Sequence, residues 1–380
     1  MIDLPLKRLK PGMVTAQSIY NSSGANYLTR GTELTKQYID RLRNLGVSNL
    51  HVVSTVVDEK LLPPEEILSE KTRALAVKRV YDVFQQIEQS GTFDLEPLSK
   101  AAAAMVNDIM ERRGNLVQLT DIRVHDMYTF AHSVNVAMLS GLIGVLAGLT
   151  EKQLTELTLG ALLHDLGKIA VPQEVLNKPG RLTKNEFDII KHHPMAGFDK
   201  IMRMHLEDGA KLAVVALQHH EHMDGRGYPA GLKGEHIHLY GRISAIADVY
   251  DALTSARPYK KAFSPFKAYD IMAHKSEGHF DEALLKLFFR NVAIFPVGSV
   301  MSLSSGYGIV KEVSFGQTDR PKVFMFANRE GQPLRKPYLE DLSVRWDRTI
   351  HGVLDGEELE GLIERLGFDP AELTASDGAP

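Results

Sequence analysis

Apolar residues recur every three to four positions through the middle of the chain, which is the spacing of helices that bury one face. Residues 65–113 predict two helices that break near Ser90 and Gly91, and residues 114–290 predict helices almost throughout. Capping residues, or a proline in the first turn, mark several helix starts. The marked starts are Thr150 with Gln153, Thr183 with Glu186, and Ser264 with Pro265.

The two ends of the chain follow another pattern. Residues 13–19 and 48–53 are rich in strand-forming residues, and a segment with helical spacing lies between them. From residue 295 to about residue 342, apolar and polar residues alternate between glycine-containing turns, which predicts three to five strands. The sequence therefore predicts a mainly α protein: an all-helical bundle with a small N-terminal α/β domain and a short C-terminal β-rich extension.

Changes in these patterns give the expected domain boundaries. Pro63 and Pro64 close the first module, and the charged helix after them suits a connector, a dimer seam or a path for signals. The expected divisions are a small α/β accessory or regulatory domain (1–62), a helical connector (63–113), the main helical domain (114–290), a β-rich extension (291–345), and a short helix and tail (346–380).

The composition limits the kinds of chemical site that the chain can form. The 380 residues are 44% apolar and 24% charged, which is ordinary for a folded domain. The chain has no cysteine, so disulfides, thiolate nucleophiles and cysteine-ligated metals are excluded, and any metal ion needs nitrogen and oxygen ligands. A formal net charge of −4 argues against binding nucleic acid through bulk charge, so neither DNA nor RNA is an expected partner.

Neither a secretion signal nor a membrane span is expected. The N-terminus lacks the apolar segment of a signal peptide. Residues 127–150 contain no Asp, Glu, Lys or Arg, but His132 and Asn135 lie within them, which favours a buried helix over a bilayer span. We therefore expect a cytoplasmic protein.

Histidines are concentrated in one part of the chain: 11 of the 15 lie between His125 and His238. Histidine is the commonest metal ligand and general acid–base, so chemistry is expected there. The pair His164 and Asp165 ends a predicted helix, with Lys168 one turn further on. An adjacent imidazole and carboxylate suit a metal centre, although most such pairs are surface or capping residues.

A second histidine pair ends another predicted helix. His219 and His220 precede a loop with four glycines in ten residues, which allows close backbone approach to a ligand, although a flexible surface turn has the same composition. Either His192 or His193, at the end of the helix that begins at Thr183, is a further candidate ligand. The glycines are Gly225, Gly227, Gly231 and Gly234.

Two carboxylates lie three residues apart on an apolar helix. Asp248 and Asp251 face the same side, and buried carboxylates need cationic partners, either a metal ion or an arginine. Arg257 and Lys260 follow in the next loop as a basic pair suited to phosphate. His132 lies on another apolar helix, where a structural role in the core is the alternative to ligation.

Together these motifs resemble the HD-GYP family. The segments are HDLGK (164–168), HHEHMDGRGYP (219–229) and DVYDALTSARPYK (248–260), and the resemblance extends over about residues 121–290. It implies an all-helical HD-type bundle with an N-terminal accessory domain and a strand-rich C-terminal extension. It also implies a metal-dependent phosphodiesterase that hydrolyses cyclic di-GMP to linear pGpG, and in some members to GMP.

The resemblance also implies the roles of individual residues. Asp165 matches a carboxylate that bridges two metal ions, and Lys168 matches a lysine beside the scissile phosphate. Arg257 and Lys260 match residues that bind phosphate. Iron or manganese is the expected metal. The implied metal ligands are His132, His164, Asp165, His193, His219, His220 and Asp248.

One position departs from the family pattern. Family members with three metal ions have a glutamate four residues before the first ligand histidine, and here Tyr128 occupies that position. A neutral phenol is a weak ligand, so two divalent ions per chain are expected.

Alternatives remain for the function. The chain is also compatible with a cyclic di-GMP receptor of weak or no turnover, with a phosphodiesterase for another cyclic dinucleotide, or with a metal-stabilised structural bundle. The glycine-rich GYP loop is a candidate docking site for a diguanylate cyclase or another signalling protein, and the chain is a candidate homodimer.

Overall fold

The N-terminal module has a small hydrophobic core of its own, around Leu34, Leu42 and Leu50. A three-stranded antiparallel sheet in the order β1-β5-β2 and a two-stranded sheet of β3 and β4 share this core with helix α1. The elements are β1 (Ile2–Pro5), β2 (Val14–Thr15), β3 (Ile19–Tyr20), β4 (Asn26–Leu28), α1 (Lys36–Asn44) and β5 (Asn49–Val53). This computed structural model describes residues 2–6, 9–15, 19–20, 26–44, 49–53, 67–112, 128–178, 180–206, 208–255, 262–274, 276–354 and 356–367.

Two long helices follow this module in the sequence and share the hydrophobic core of the helical body. Helix α2 (Glu70–Ser90) and helix α3 (Glu96–Glu111) pack against each other. Gly91 ends α2 with a left-handed φ of 76°, and its N–H donates to the carbonyl of Ile87. The predicted break near Ser90 and Gly91 is thus a glycine C-cap.

The main body is helical, which confirms the mainly α prediction. Helix α4 is its centre: it packs against α2, α5 and α10, and most of its described side chains are buried. The helices are α4 (Tyr128–Leu146), α5 (Glu151–Leu162), α6 (Gln173–Leu176), α7 (Lys184–Ile190), α8 (His193–Met202), α9 (Gly209–Gln218), α10 (Leu239–Thr254), α11 (Pro265–His274) and α12 (Glu282–Phe289). Among the described residues, no helix combines the length and apolarity needed to cross a membrane.

Local sequence signals explain the helix starts. Thr150 and Thr183 each form a complete capping box, with Gln153 and Glu186 respectively. One prediction differs from the structure: the helix that begins after Thr183 ends at Ile190, and His193 begins a new helix, α8. Proline lacks an N–H and is tolerated in a first turn, so Pro194 starts a helix here rather than following one.

The C-terminal strands form one antiparallel sheet in the order β10-β6-β7-β8-β9. One face, with Met301, Val310 and Met325, joins the core of the helical body, and the other face packs against α13. Strand β10 lies beyond the boundary expected at residue 345, in the segment expected to hold only a helix and tail. The elements are β6 (Val300–Leu303), β7 (Gly306–Ser314), β8 (Gln317–Ala327), β9 (Pro333–Asp341), β10 (Ile350–Val353) and α13 (Gly356–Leu366).

Candidate metal centre

The predicted His–Asp pair lies in a tight turn at the end of α5. His164 and Asp165 follow the last residues of that helix and precede a 3₁₀ turn (Leu166–Ala170), and both side chains are almost completely buried. Gly167 permits this placement, because a Cβ there would collide with the carbonyl oxygen of His193. Gly167 therefore lets this turn approach α8 closely.

Three imidazoles are oriented by the helix ends that carry them. The Nδ1 atom of His164 lies 2.8 Å from the carbonyl oxygen of Ala161, and Nδ1 of His193 lies 2.7 Å from that of Ile190. His219 Nδ1 lies 2.9 Å from the carbonyl oxygen of Ala216. A carbonyl only accepts, so Nδ1 donates its proton in each ring, and the Nε2 lone pair is left for another partner.

These lone pairs and the Nε2 atom of His132 converge on the carboxylate of Asp165. Its Oδ1 atom lies 3.4 Å from His193 Nε2 and 3.9 Å from His219 Nε2. Its Oδ2 atom lies 3.3 Å from His164 Nε2 and 3.8 Å from His132 Nε2. Each oxygen of Asp165 thus faces a different pair of imidazoles, which is the arrangement of a carboxylate that bridges two cations.

His132 is held by two carboxylates of helix α10. Its Nε2 atom lies 3.1 Å from Asp248 Oδ1, and its Nδ1 atom lies 2.6 Å from Asp251 Oδ2. Burial alone would lower the pKa of His132, but the hydrogen bonds to Asp248 and Asp251 outweigh it and raise the pKa to about 9. We noted Asp251 only as a second carboxylate on the same face; the structure places it behind His132, as the residue that orients the ring.

His220 completes the centre on its more exposed side. Its Nδ1 atom lies 3.8 Å from Asp248 Oδ2, and its ring stacks on Tyr228 at 4.7 Å between centroids. Burial lowers the pKa of His220 to about 3. The pKa of His219 lies well below its usual range, mainly because the ring is buried and secondly because His220 repels a positive charge there. Burial also lowers the pKa of His193. All three rings are therefore neutral at pH 7 and able to act as ligands.

The donor set fits divalent cations. His193 Nε2 and His219 Nε2 are 3.3 Å apart, and both are acceptors because both Nδ1 atoms carry the protons. Among the described residues, His164 Nε2 and Asp165 Oδ1 have no hydrogen-bond partner although they are buried. Facing lone pairs in a buried site repel one another unless a cation lies among them. The ligand atoms form two groups: the histidine cluster (His193, His219, His220) and the carboxylate cluster (His132, His164, Asp165).

Lys168 lies at the edge of this centre. Its Nζ atom is 2.6 Å from Asp165 Oδ2, and about a quarter of its side chain remains exposed. Burial would raise the pKa of Asp165, but His164 and Lys168 hold that pKa well below its usual range. Lys168 therefore presents a positive charge both to Asp165 and to the solvent-facing side of the centre.

The glycine-rich loop is an ordered element rather than a flexible turn. The buried carboxylate of Glu221 accepts hydrogen bonds from the N–H groups of Ala230 at 2.8 Å and Leu232 at 2.9 Å. A Cβ at Gly227 would collide with the backbone of residues 220–222, so this glycine lets the loop fold back on itself. Tyr228 is thereby placed against His220. Glu221 is not among the residues predicted from the sequence. Its position directly after the pair His219 and His220 is the signal that could have identified it.

All seven predicted metal ligands lie close together. His132, His164, Asp165, His193, His219, His220 and Asp248 surround one centre. His192 is exposed and does not join it, which resolves the choice between the two neighbours in favour of His193. Arg257 and Lys260 lie outside the described residues, as does the side chain of Tyr128.

Comparisons with known proteins show which sequences this chain is similar to. A family model described as HD domain matches residues 100–284. The chain is 35% identical over 345 residues to the cyclic di-GMP phosphodiesterase PA4108 of Pseudomonas aeruginosa, a match that covers 88% of this chain and 78% of that protein. It is 37% identical over 188 residues to the 3'3'-cGAMP-specific phosphodiesterase 1 of Vibrio cholerae, covering 49% of this chain and 42% of that protein.

A solved structure shares the fold. Bd1817, described as an HDG"Y"P protein from Bdellovibrio bacteriovorus, superposes with a TM-score of 0.50 at 20% sequence identity. The match covers 76% of this chain and 97% of Bd1817. At this identity the likeness concerns the fold alone.

Proposed function

Because this chain belongs to the HD-GYP family of HD-domain phosphodiesterases, we propose that it hydrolyses cyclic di-GMP to linear pGpG in a metal-dependent reaction. The observation that carries the proposal is the position of Asp165, whose two oxygens face two separate groups of imidazoles. A centre that holds two cations side by side suits hydrolysis of an anionic phosphodiester.

We propose two divalent ions per chain, one at the histidine cluster and one at the carboxylate cluster, with Asp165 between them. Imidazoles mixed with carboxylates favour iron or manganese over magnesium, which prefers oxygen ligands. When bound, such ions would acidify water and neutralise charge on the phosphate. Asp248 contributes an oxygen to each side, since Oδ1 faces His132 and Oδ2 faces His220.

The chain's own residues would orient the substrate. The ammonium of Lys168 is placed to donate hydrogen bonds to phosphate oxygens or a proton to the leaving oxygen, and Asp165 fixes its position. We assign phosphate binding to Arg257 and Lys260, because their basic side chains follow the α10 helix that carries Asp248. Alanine at either position should raise KM without loss of bound metal.

The decisive experiment is anaerobic incubation of the protein with cyclic di-GMP and either Mn²⁺ or Fe²⁺, followed by chromatographic separation of nucleotides. Linear pGpG is the expected product. A Lys168→Met variant should bind the same amount of metal but turn over more slowly. A metal-loaded wild type that binds cyclic di-GMP without cleaving it would support the receptor alternative instead.

A second candidate substrate is another cyclic dinucleotide, since one similar protein is named as a 3'3'-cGAMP-specific phosphodiesterase. The same assay with 3'3'-cGAMP and cyclic di-GMP in competition compares kcat/KM directly. We expect cyclic di-GMP to be preferred, and the reverse preference would reassign the substrate while keeping the reaction.

The proposed ion count has its own test at Tyr128, which occupies the position of a third-site glutamate in the family. Two ions per chain are expected in the wild type by metal quantification and anomalous scattering. The Tyr128→Glu variant is expected to gain a third. Three fully occupied ions in the wild type would contradict the count.

A further inference from the structure

A line of buried hydrogen bonds leads from the candidate metal centre to the first turn of helix α2. Asp251 Oδ2 lies 2.6 Å from His132 Nδ1, and Asp251 Oδ1 accepts from Asn135 Nδ2 at 2.8 Å. The Asn135 Oδ1 atom in turn accepts from Arg73 Nη1 at 2.8 Å. All four residues are buried, with Arg73 only 9% exposed.

The chemistry of these groups determines which atom donates and which accepts at each contact. A guanidinium only donates, so the atom of Asn135 that faces Arg73 must be the amide oxygen. The amide nitrogen then points towards Asp251, and it binds one carboxylate oxygen there. The other oxygen remains for His132 Nδ1, which fixes the ring so that Nε2 faces the centre.

Arg73 belongs to a helix outside the ligand-bearing motifs. It lies one turn into α2, which begins at the N-cap Ser69. The backbone N–H of Ser69 donates to Asp108 Oδ2 of α3 at 2.8 Å, so this first turn is fixed to its neighbour. Since α2 is the first described helix after the N-terminal module, Arg73 links the entry of the chain into the helical body to a metal ligand.

We propose that Arg73 is a positioning residue for His132, acting through Asn135 and Asp251. The position of the first turn of α2 then determines how tightly the carboxylate cluster binds a metal ion. The inference rests on the proposed metal-dependent function. It assigns no such link to the histidine cluster, where His193 and His219 are held by backbone carbonyls three residues earlier in the sequence.

The test is a Mn²⁺ titration of the full chain, with free Mn²⁺ measured by its electron paramagnetic resonance signal and no substrate present. Arg73→Met should weaken one of two Mn²⁺ sites about tenfold, at the low end of the loss caused by removing an outer-shell partner of a metal ligand. The matched control is Arg79→Met, which removes an arginine with 34% of its side chain exposed, six residues further along the same helix. This control should leave both affinities unchanged.

A double-mutant cycle separates positioning from general stability. Asn135→Leu should weaken the same site, and adding Arg73→Met to it should cause no further loss, because the line is already broken. Arg73→Lys, which keeps the charge, should recover part of the affinity and serves as the test variant if Arg73→Met does not fold. Equal weakening of both sites, or additive losses, would overturn the proposal.

The outcome is distinct from that of the proposed function. A wild type that binds two Mn²⁺ ions but does not cleave cyclic di-GMP would contradict the activity, and the affinity comparison would still decide the role of Arg73. Normal turnover by the wild type with unchanged Mn²⁺ affinities in Arg73→Met would overturn the positioning role alone.

Discussion

The histidine cluster and the carboxylate cluster lie side by side but are supported in different ways. His193 and His219 donate Nδ1 protons to carbonyls within four residues of their own positions, so their orientation is local. His132 depends on Asp251, which lies 119 residues away in sequence. The histidine cluster therefore depends mainly on local backbone carbonyls. The carboxylate cluster combines one locally held ring, His164, with His132, which is positioned by packing between distant helices.

The two halves also differ in charge. Burial keeps the histidine cluster neutral, with the pKa of His220 at about 3, whereas Asp248 and Asp251 overcome burial and raise the pKa of His132 to about 9. A metal ion entering the histidine cluster displaces no proton at pH 7. A metal ion entering the carboxylate cluster must displace one from His132, so only this half should couple metal binding to pH.

The largest effect is expected where the halves meet. Asp165→Asn removes the carboxylate that faces both clusters and leaves a neutral, weaker ligand, so hydrolysis of cyclic di-GMP should fall to background and both ions should bind more weakly. Product chromatography and metal quantification measure this, with circular dichroism as the check on folding. Wild-type turnover by a metal-loaded Asp165→Asn protein would remove the shared-carboxylate interpretation.

The next effect is on pH dependence. Below pH 9 His132 is protonated, so the Mn²⁺ affinity of the carboxylate cluster should rise about tenfold per pH unit from pH 7 and level off near pH 9. The histidine cluster should stay nearly constant over that range. Titrations at several pH values, under anaerobic conditions, measure both affinities, and equal slopes for the two would contradict the difference.

Stability of the metal-free protein should change in the opposite sense. The pKa of His132 is raised above its unfolded value, so its contribution to stability is complete below about pH 6.5 and is lost as the pH rises through about 9. Chemical unfolding at pH 7 and pH 9, with a chelator present, tests the sign.

A smaller effect on metal binding is expected at Asp251, which contacts His132 of the carboxylate cluster. Asp251→Asn removes the charge that orients His132, and it should weaken that cluster's Mn²⁺ site about 10- to 100-fold while sparing the histidine cluster. It should also lower the pKa of His132 and flatten the pH slope. Asp188→Asn, which alters an exposed carboxylate on α7, is the matched control. Loss of both sites in Asp251→Asn would mean that the two halves are not separately supported.

The smallest effect is expected on the loop beside the histidine cluster. Glu221→Gln places an amide NH₂ against one of the two loop N–H groups and costs about 1–3 kcal/mol at that hydrogen bond. KM for cyclic di-GMP should rise a few-fold through displacement of Tyr228, with the carboxylate cluster unchanged. Glu235→Gln, at an exposed position of the same loop, should have no effect. An equal change in both variants would contradict the anchoring role.

The parts of this picture that depend on neighbouring residues could be predicted from the sequence. The capping boxes at Thr150 and Thr183 involve residues three positions apart, and the HDLGK and HHEHMDGRGYP segments carry most ligands within one or two turns. The ligand assignments themselves come from the family resemblance, because a histidine on an apolar helix such as His132 more often has a structural role in the core.

The remaining parts depend on contacts that sequence spacing does not reveal. Arg73 and Asn135 are 62 residues apart, and Asn135 and Asp251 are 116 apart. Nothing local marks Arg73 as buried, since a charged amphipathic helix usually presents arginine to solvent. The role of Gly167 is close packing against α8, which sequence spacing does not reveal.

The shared core of the helical body and the C-terminal sheet bears on cooperativity of unfolding. Met301, Val310 and Met325 belong to the same apolar cluster as Phe288, and the hydroxyl of Thr318 donates to the carbonyl of Phe289. Among the described residues, the core of the N-terminal module has no member in common with that cluster. Calorimetry should therefore show the sheet melting together with the metal-binding helices, as one transition, and the N-terminal module melting in another. A chain that ends after α12 would expose part of its own interior, so the sheet is a structural part of the metal-binding unit.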